Sequence, residues 1–180
     1  MAQIKPGWEG RFFEDFEVGD VYRCRYGRTV TEADNIQFTL LTNNTNQIHF
    51  NRDYGQKTEF GNTLVNSALT LSIVAGMGVA DLSEHGFALG WEEVELPNPV
   101  FPGDTLYSET EVLSVRESRS RPERGIVRVQ TRGYNQNGEL VIRYKRSVMV
   151  YRREHAPRVD VFPEPRTSAA DAEERASSDG

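Results

Sequence analysis

The chain has 180 residues, of which 21 are Lys or Arg and 27 are Asp or Glu, so its formal net charge is −6. This length corresponds to one domain, and the acidic balance argues against a nucleic-acid-binding protein. The single cysteine, Cys24, excludes an internal disulfide or a thiolate metal cluster and favours a reducing compartment.

The two ends of the chain differ in composition from its centre. The first 20 residues place charges and glycines where a signal peptide needs an apolar stretch, so we expect a cytoplasmic protein. Residues 155–180 contain three arginines, six acidic residues and three prolines, a net charge of −3. This composition predicts a disordered tail over residues 154–180 and one folded domain over residues 1–153.

The first part of the domain predicts a strand followed by a helix. Residues 21–30 alternate and are rich in β-branched and aromatic side chains, which indicates a strand. Thr31 and Asp34 then form the pattern of a capping box. Apolar residues follow at helical spacing: Ile36, Leu40 and Leu41. We therefore predict a helix of about three turns that begins after Thr31.

Residues 61–80 contain no charged side chain, and their length matches that of a membrane span. However, the segment holds several Asn, Ser and Thr residues, which make it too polar for a bilayer. Small residues such as Ala68 and Gly76 suit a helix that protein encloses closely. We therefore predict a central, buried helix and no membrane segment.

The remaining residues predict a meander of antiparallel strands. The predicted strands are residues 87–96, 105–115, 125–134 and 139–151, and Asn137-Gly138 between the last two is a strong hairpin signal. A sheet of this kind around one long helix is an α+β fold. Its exposed edge favours a homodimer, because a second copy would cover that edge.

Four segments carry a resemblance to a known family. They are Thr31–Asp34 (TEAD), Asn44–His49 (NTNQIH), Leu64–Leu69 (LVNSAL) and Pro99–Leu106 (PVFPGDTL). In order and spacing they resemble the MaoC-like (R)-specific enoyl-CoA hydratases of the hot-dog fold. The branch with mesaconyl-CoA and itaconyl-CoA hydratase-like proteins is also similar in two further segments. These are the opening RFFEDFEVGD, residues 11–20, and the stretch SRSRP, residues 118–122. The resemblance covers about residues 10–153 and implies an antiparallel sheet wrapped around a long central helix.

The resemblance places the family motif G-D-x-N-P-L/I-H on the segment that ends at His49. Asn46 matches the motif asparagine, Gln47 replaces the proline, and Asn44 stands at the position of the catalytic aspartate. In such enzymes the aspartate and histidine hold a water between them and move its protons. An amide orients water but accepts no proton at neutral pH, so the resemblance implies that His49 is the acid–base residue and Asn44 positions the water.

Two routes would replace the missing aspartate. His49 could act alone, first as a base and then as an acid, because histidine ordinarily titrates near neutral pH. Alternatively a nearby carboxylate could stand in, and three candidates are close in sequence: Asp34, Asp53 and Glu59. Asp34 is the weakest of these, because a capping-box acid binds the start of its own helix.

The resemblance also implies where the thioester binds. Family members polarise its carbonyl with a backbone N–H at the start of the central helix, and the matching residues here are Asn66 and Ser67. We expect the Ser67 amide to take this role. Further candidate substrate-binding residues are Asn46, Asn66, Gly90, Trp91 and, for the coenzyme A phosphates, Arg119. No metal or redox cofactor is implied, and coenzyme A is part of the substrate.

We therefore expect an enoyl-CoA hydratase for a short 2-enoyl-CoA, with a branched or dicarboxylic C5 unit such as mesaconyl-CoA or itaconyl-CoA. The expected assembly is a homodimer or a higher oligomer. Two alternatives remain, because a fold does not fix a reaction. One is a non-catalytic acyl-CoA-binding protein, which Asn44 favours. The other is an acyl-CoA thioesterase, which the lack of an acid in residues 61–80 disfavours.

Overall fold

The computed structural model describes residues 7–157 together with Gln3, Lys5 and Pro163. The predicted tail, residues 154–180, lies largely outside the described residues, and its disorder stays a prediction. The strands are β1 (Val21–Arg23), β2 (Arg28–Thr29), β3 (Gly86–Glu95), β4 (Thr105–Glu117), β5 (Arg124–Tyr134) and β6 (Leu140–Tyr151). The helices are α1 (Glu32–Leu41), α2 (Arg52–Gln56), α3 (Ser67–Met77) and α4 (Val79–Leu82), with 3₁₀ turns at Phe13–Asp15 and Gln47–His49.

The strands form an antiparallel sheet in the order β1-β4-β5-β6-β3, and β2 pairs with β4 beside this path. The predicted hairpin between β5 and β6 is confirmed. Asn135 builds its turn, because its side-chain oxygen accepts the N–H groups of both Asn137 and Glu139 at 3.0 Å. Gly138 supplies the positive φ of 78° that the turn requires.

The core lies between α3 and one face of the sheet. Val74 of α3 packs over β5 and β6, where a Cβ added at Gly133 would come within 2.8 Å of a Val74 methyl and 2.7 Å of an Ile142 methyl. Glycine therefore lets the helix approach the sheet closely. The predicted α+β arrangement, a sheet against one central helix, is confirmed.

The central helix is shorter than predicted, because it begins at Ser67 and not at residue 61. Before the helix, the Val65 N–H donates to the Val100 carbonyl at 2.8 Å, so this segment lies alongside the loop that precedes β4. Asn66 then caps the helix, since its Oδ1 accepts the Ala68 N–H at 3.0 Å. Full burial was also a wrong prediction: one side of α3 is exposed, at Ser67, Ala68, Ser72 and Gly76.

One further prediction needs correction. The strand over residues 21–30 is divided into β1 and β2, with residues 24–27 outside either strand. Helix α1 and its capping box are confirmed, but Leu40 and Leu41 lie on its exposed side, with Leu41 81% exposed. Its buried residues are polar: Asn35 and Thr39. Among the described residues, no helix is long and apolar enough to cross a membrane.

Candidate active site

The predicted acid–base residue, His49, ends the 3₁₀ turn between α1 and α2 and is only 8% exposed. Two asparagines build this turn. The Asn44 Oδ1 accepts the Asn46 N–H at 3.0 Å, and the Asn46 Oδ1 accepts the Ile48 N–H at 3.2 Å. Asn residues are favoured in such turns because their side chains bond to the backbone two positions ahead. The two predicted site asparagines therefore hold His49 in place.

Asn35, which the sequence analysis did not single out, joins this turn to the start of α3. It is fully buried on α1. Its Nδ2 donates to the His49 carbonyl at 2.7 Å and to the Leu64 carbonyl at 3.0 Å, while its Oδ1 accepts the Asn66 N–H at 2.8 Å. One side chain thus fixes the histidine loop and the helix start relative to each other.

The hydrogen bonds of His49 define its tautomer. Its Nδ1 lies 2.8 Å from the Leu64 carbonyl oxygen. A carbonyl oxygen can only accept, so Nδ1 carries the hydrogen in this arrangement. In the neutral ring Nε2 then has a lone pair, and no described residue donates to it. The His49 side chain is therefore set up to take a proton at Nε2.

The two residues at the start of α3 play different parts. Asn66 is buried, and both ends of its amide are used: Oδ1 caps the helix and Nδ2 donates to the Thr39 hydroxyl at 3.3 Å. Ser67 is exposed, and no acceptor for its backbone N–H is found in the described part of the chain. First-turn amides have no partner within a helix and carry its positive dipole end, so the Ser67 N–H is available to an oxygen ligand.

A cavity of about 230 Å³ opens at this helix start. Its lining includes Phe60, Leu64, Val65, Ser67, Thr70 and Leu96. His49 does not line the cavity. Its ring is hydrogen-bonded to the carbonyl of Leu64, and Leu64 does line the cavity. The cavity is smaller than the ~300–1,000 Å³ of typical drug-sized sites, which suits a short acyl group.

The candidate carboxylates are paired or exposed away from His49. Hydrogen bonds from Thr31 hold the pKa of Asp34 below its usual range, and the Arg28 guanidinium at 2.8 Å adds a smaller effect of the same sign. Asp34 is therefore a poor proton acceptor. Asp53 pairs with Lys57 at 2.7 Å on the surface, and Glu59 is exposed. None of these three carboxylates is hydrogen-bonded to His49. The geometry therefore favours His49 acting alone.

Three predicted substrate-binding residues lie apart from His49 within the chain. Gly90 and Trp91 are in the middle of β3, and the indole of Trp91 is half-exposed. Arg119 is exposed on the β4–β5 connection and lines a separate cavity of about 540 Å³. That connection follows the C-terminal end of β4, a 13-residue strand about 40 Å long. The loop that borders the helix start precedes the other end of β4.

The fold and this site define a hot-dog domain of the MaoC-like class, as comparisons with known proteins bear out. A MaoC-like dehydratase from Rhodospirillum rubrum is 33% identical with a TM-score of 0.72, over 80% of this chain and 99% of that one. A Mycobacterium tuberculosis protein described as a double hot-dog fold shares the fold, with a TM-score of 0.75 and 19% identity over 85% of this chain and 48% of that one.

The family is more specific than the class. The family model described as mesaconyl-CoA hydratase matches residues 4–178, and the chain therefore belongs to that family. The mesaconyl-CoA hydratase of Cereibacter sphaeroides is 34% identical over 148 residues, which are 82% of this chain and 43% of that protein. The chain thus spans less than half the length of this curated relative. The resemblance inferred from the four sequence segments is confirmed.

Proposed function

We propose that this chain is an enoyl-CoA hydratase that adds water to a short 2-enoyl-CoA with a branched, dicarboxylic C5 unit such as mesaconyl-CoA. The observation that carries the proposal is the Asn35 network, which ties a histidine with a free Nε2 to a helix start with a free amide. Membership in the mesaconyl-CoA hydratase family and the small cavity support the same substrate class.

In the proposed reaction, His49 Nε2 removes a proton from water as the water oxygen bonds to the β-carbon. The electron pair of the carbon–carbon double bond forms a new double bond between the α-carbon and the carbonyl carbon. The carbonyl π pair moves onto the thioester carbonyl oxygen, where the Ser67 N–H and the α3 dipole stabilise the negative charge. The imidazolium then returns a proton to the α-carbon, and the thioester carbonyl re-forms. Asn44 positions the water through its amide, whose Nδ2 remains free to donate after Oδ1 has bonded to Asn46.

The proposed assembly is a homodimer in a cytoplasmic setting, with the acyl-CoA as its only small-molecule partner and no resident cofactor. Strand β3 is at the end of the sheet path and is paired on one side only, with β6. Two copies of the chain together have about the length of the Cereibacter sphaeroides relative, of which the matched residues of one copy cover 43%. The single cysteine supports a reducing compartment.

The test is to follow the loss of the conjugated thioester with mesaconyl-CoA, itaconyl-CoA and crotonyl-CoA. We expect turnover of at least one of them, and a decrease of about 10²- to 10⁴-fold in His49→Ala, because an acid–base group of this kind contributes that much. The matched control is His155→Ala, since His155 is exposed near the end of the domain. A His49→Ala enzyme as fast as the wild type would refute the mechanism.

A second candidate, a non-catalytic acyl-CoA-binding protein, is favoured by Asn44 at the aspartate position. It predicts thioester binding without turnover, and a gain of hydration in Asn44→Asp, whose carboxylate keeps the acceptor for the Asn46 N–H. The acyl-CoA thioesterase alternative predicts release of free coenzyme A in the same assay. The thioesterase alternative is disfavoured because hot-dog thioesterases usually place an acidic residue on the central helix, and α3 contains none.

A further inference from the structure

The hydroxyl group of Thr70 is buried at the start of α3 with only a weak hydrogen bond. Thr70 is 1% exposed and lines the cavity beside Ser67. Its Oγ1 lies 3.5 Å from the Asn66 carbonyl oxygen, which already accepts the Thr70 N–H at 3.0 Å. A hydrogen bond between two oxygens is ordinarily about 2.5–3.0 Å long, so this contact is weak. A buried hydroxyl of this kind still has a hydrogen to offer to a ligand.

Ser72 shows that the same helix can make such a bond well. Its Oγ donates to the carbonyl of Ala68, four residues earlier, at 2.7 Å. Ser72 lies on the exposed side of α3 and does not line the cavity. The long contact of Thr70 is therefore particular to the cavity wall, and it is not a general property of hydroxyl side chains in α3.

The rest of the cavity lining is mostly apolar. Among the described residues, no charged side chain lines it, and the polar side chains of the lining are Ser67, Thr70 and Asn98. Ser67 and Asn98 are exposed, and the Asn98 Nδ2 already donates to the Leu140 carbonyl at 2.9 Å. Thr70 therefore supplies the buried polar group of this cavity.

Ser67 and Thr70 are separated by about the length of a short acyl unit. They are three residues apart, so they lie on the same face of α3 with a rise of about 4.5 Å between them. Across the double bond of a mesaconyl unit, the thioester carbon and the carboxylate carbon are about 4 Å apart, judged from standard bond lengths. A unit whose thioester oxygen meets the Ser67 N–H can therefore bring its carboxylate to Thr70.

We propose that the Thr70 hydroxyl donates a hydrogen bond to the free carboxylate of a dicarboxylic acyl thioester, and that this contact makes the site prefer that class of substrate. The orientation of the thioester rests on the proposed function. A hydrogen bond to an ionised oxygen is about twice as strong as one between neutral groups. The positive dipole end of α3 favours the same negative charge.

The carboxylate needs no buried counter-ion in this position, because the cavity reaches the surface. Two of its lining residues, Phe60 and Leu96, are 36% and 44% exposed. One carboxylate oxygen can accept the Thr70 hydroxyl while the other keeps its water. This arrangement avoids the large cost of a fully desolvated charge.

The experiment compares Thr70→Val, which has nearly the same shape without the hydroxyl, with Thr70→Ser, which keeps it. Ser72→Ala is the matched control, because it removes a hydroxyl from the same helix outside the cavity. Turnover of mesaconyl-CoA and crotonyl-CoA is measured in the full chain. Calorimetry measures the binding of succinyl-CoA and butyryl-CoA, which have no double bond to hydrate.

In Thr70→Val we expect the ratio of kcat/KM for mesaconyl-CoA to that for crotonyl-CoA to fall about ten- to a hundredfold, as for one hydrogen bond to a charged group. The ratio of the association constants for succinyl-CoA and butyryl-CoA should fall to the same degree. Thr70→Ser and Ser72→Ala should keep both ratios of the wild type, because each retains a hydroxyl at position 70.

The two ratios decide the proposal. If Thr70→Val keeps the wild-type ratios, the proposal is overturned, and an equal loss for all four thioesters would assign the hydroxyl to the thioester group or the water instead. If no thioester is hydrated but the binding ratio falls in Thr70→Val, the proposed function fails and this contact stands. Should Thr70→Val not fold, Thr70→Ala removes the hydroxyl with a smaller side chain and is judged by the same ratios.

Discussion

At the scale of single residues, the candidate site depends on a side chain that performs no chemistry. Asn35 bonds to the His49 carbonyl, the Leu64 carbonyl and the Asn66 N–H, and it uses both donors and its acceptor to do so. A shorter or charged side chain cannot make the same three bonds. The His49 loop and the start of α3, which form the candidate site, are thereby held together by a buried amide.

Asn35→Ala should therefore weaken both stability and activity. It leaves the Asn66 N–H and the His49 carbonyl buried without a partner, which we expect to lower the free energy of unfolding by about 3 kcal/mol. Urea denaturation measures this change. Gln37→Ala is the control, because Gln37 is on the exposed side of the same helix. If the two variants are equally stable, the Asn35 bonds do not hold the site together.

At the scale of elements, local signals predicted α1, the hairpin and the four long strands well, because their bonds form between neighbours in sequence or alternate regularly. The apolar spacing predicted that α1 forms but not which of its sides is buried, since Leu40 is exposed and the buried residues, Asn35 and Thr39, are polar. The start of α3 was missed because it depends on the contact of Val65 with Val100, which only the folded chain makes.

The capping box of α1 should make stability depend on pH. Hydrogen bonds from Thr31, with Arg28 beside them, hold the pKa of Asp34 below its unfolded value. A depressed carboxyl pKa contributes stability that is present above the unfolded pKa and lost as the pH falls through the folded one. We expect the wild type to lose about 1 kcal/mol relative to Asp34→Asn as the pH falls below about 4, where aspartate ordinarily titrates.

Thermal unfolding of both proteins between pH 7 and pH 3 measures this difference. The control is Asp53→Asn, because Asp53 forms an exposed pair with Lys57 that contributes little at any pH. A stability difference between wild type and Asp34→Asn that does not change with pH would contradict the assignment of the capping role to the ionised carboxylate.

At the scale of the whole molecule, the chain exposes large apolar side chains along one edge of its sheet. Strand β3 has one unpaired side, and its large apolar side chains are exposed: Phe87, Leu89, Trp91 and Val94. The small residues Ala68, Ser72 and Gly76 on the open side of α3 would allow another helix to approach closely. Both features fit a second copy of the chain, which would also enclose the cavity at Ser67.

Leu89→Lys should dissociate this proposed dimer. Leu89 is 48% exposed on β3, and a two-fold interface contains each substitution twice, so two lysine charges would be buried together. We expect the dissociation constant to rise by about a hundredfold or more, since burying an unpaired charge costs several kcal/mol. Val18→Lys is the control, because Val18 is 67% exposed and outside β3. Sedimentation of both variants at several concentrations measures the change, and a Leu89→Lys protein that stays dimeric would exclude β3 as the interface.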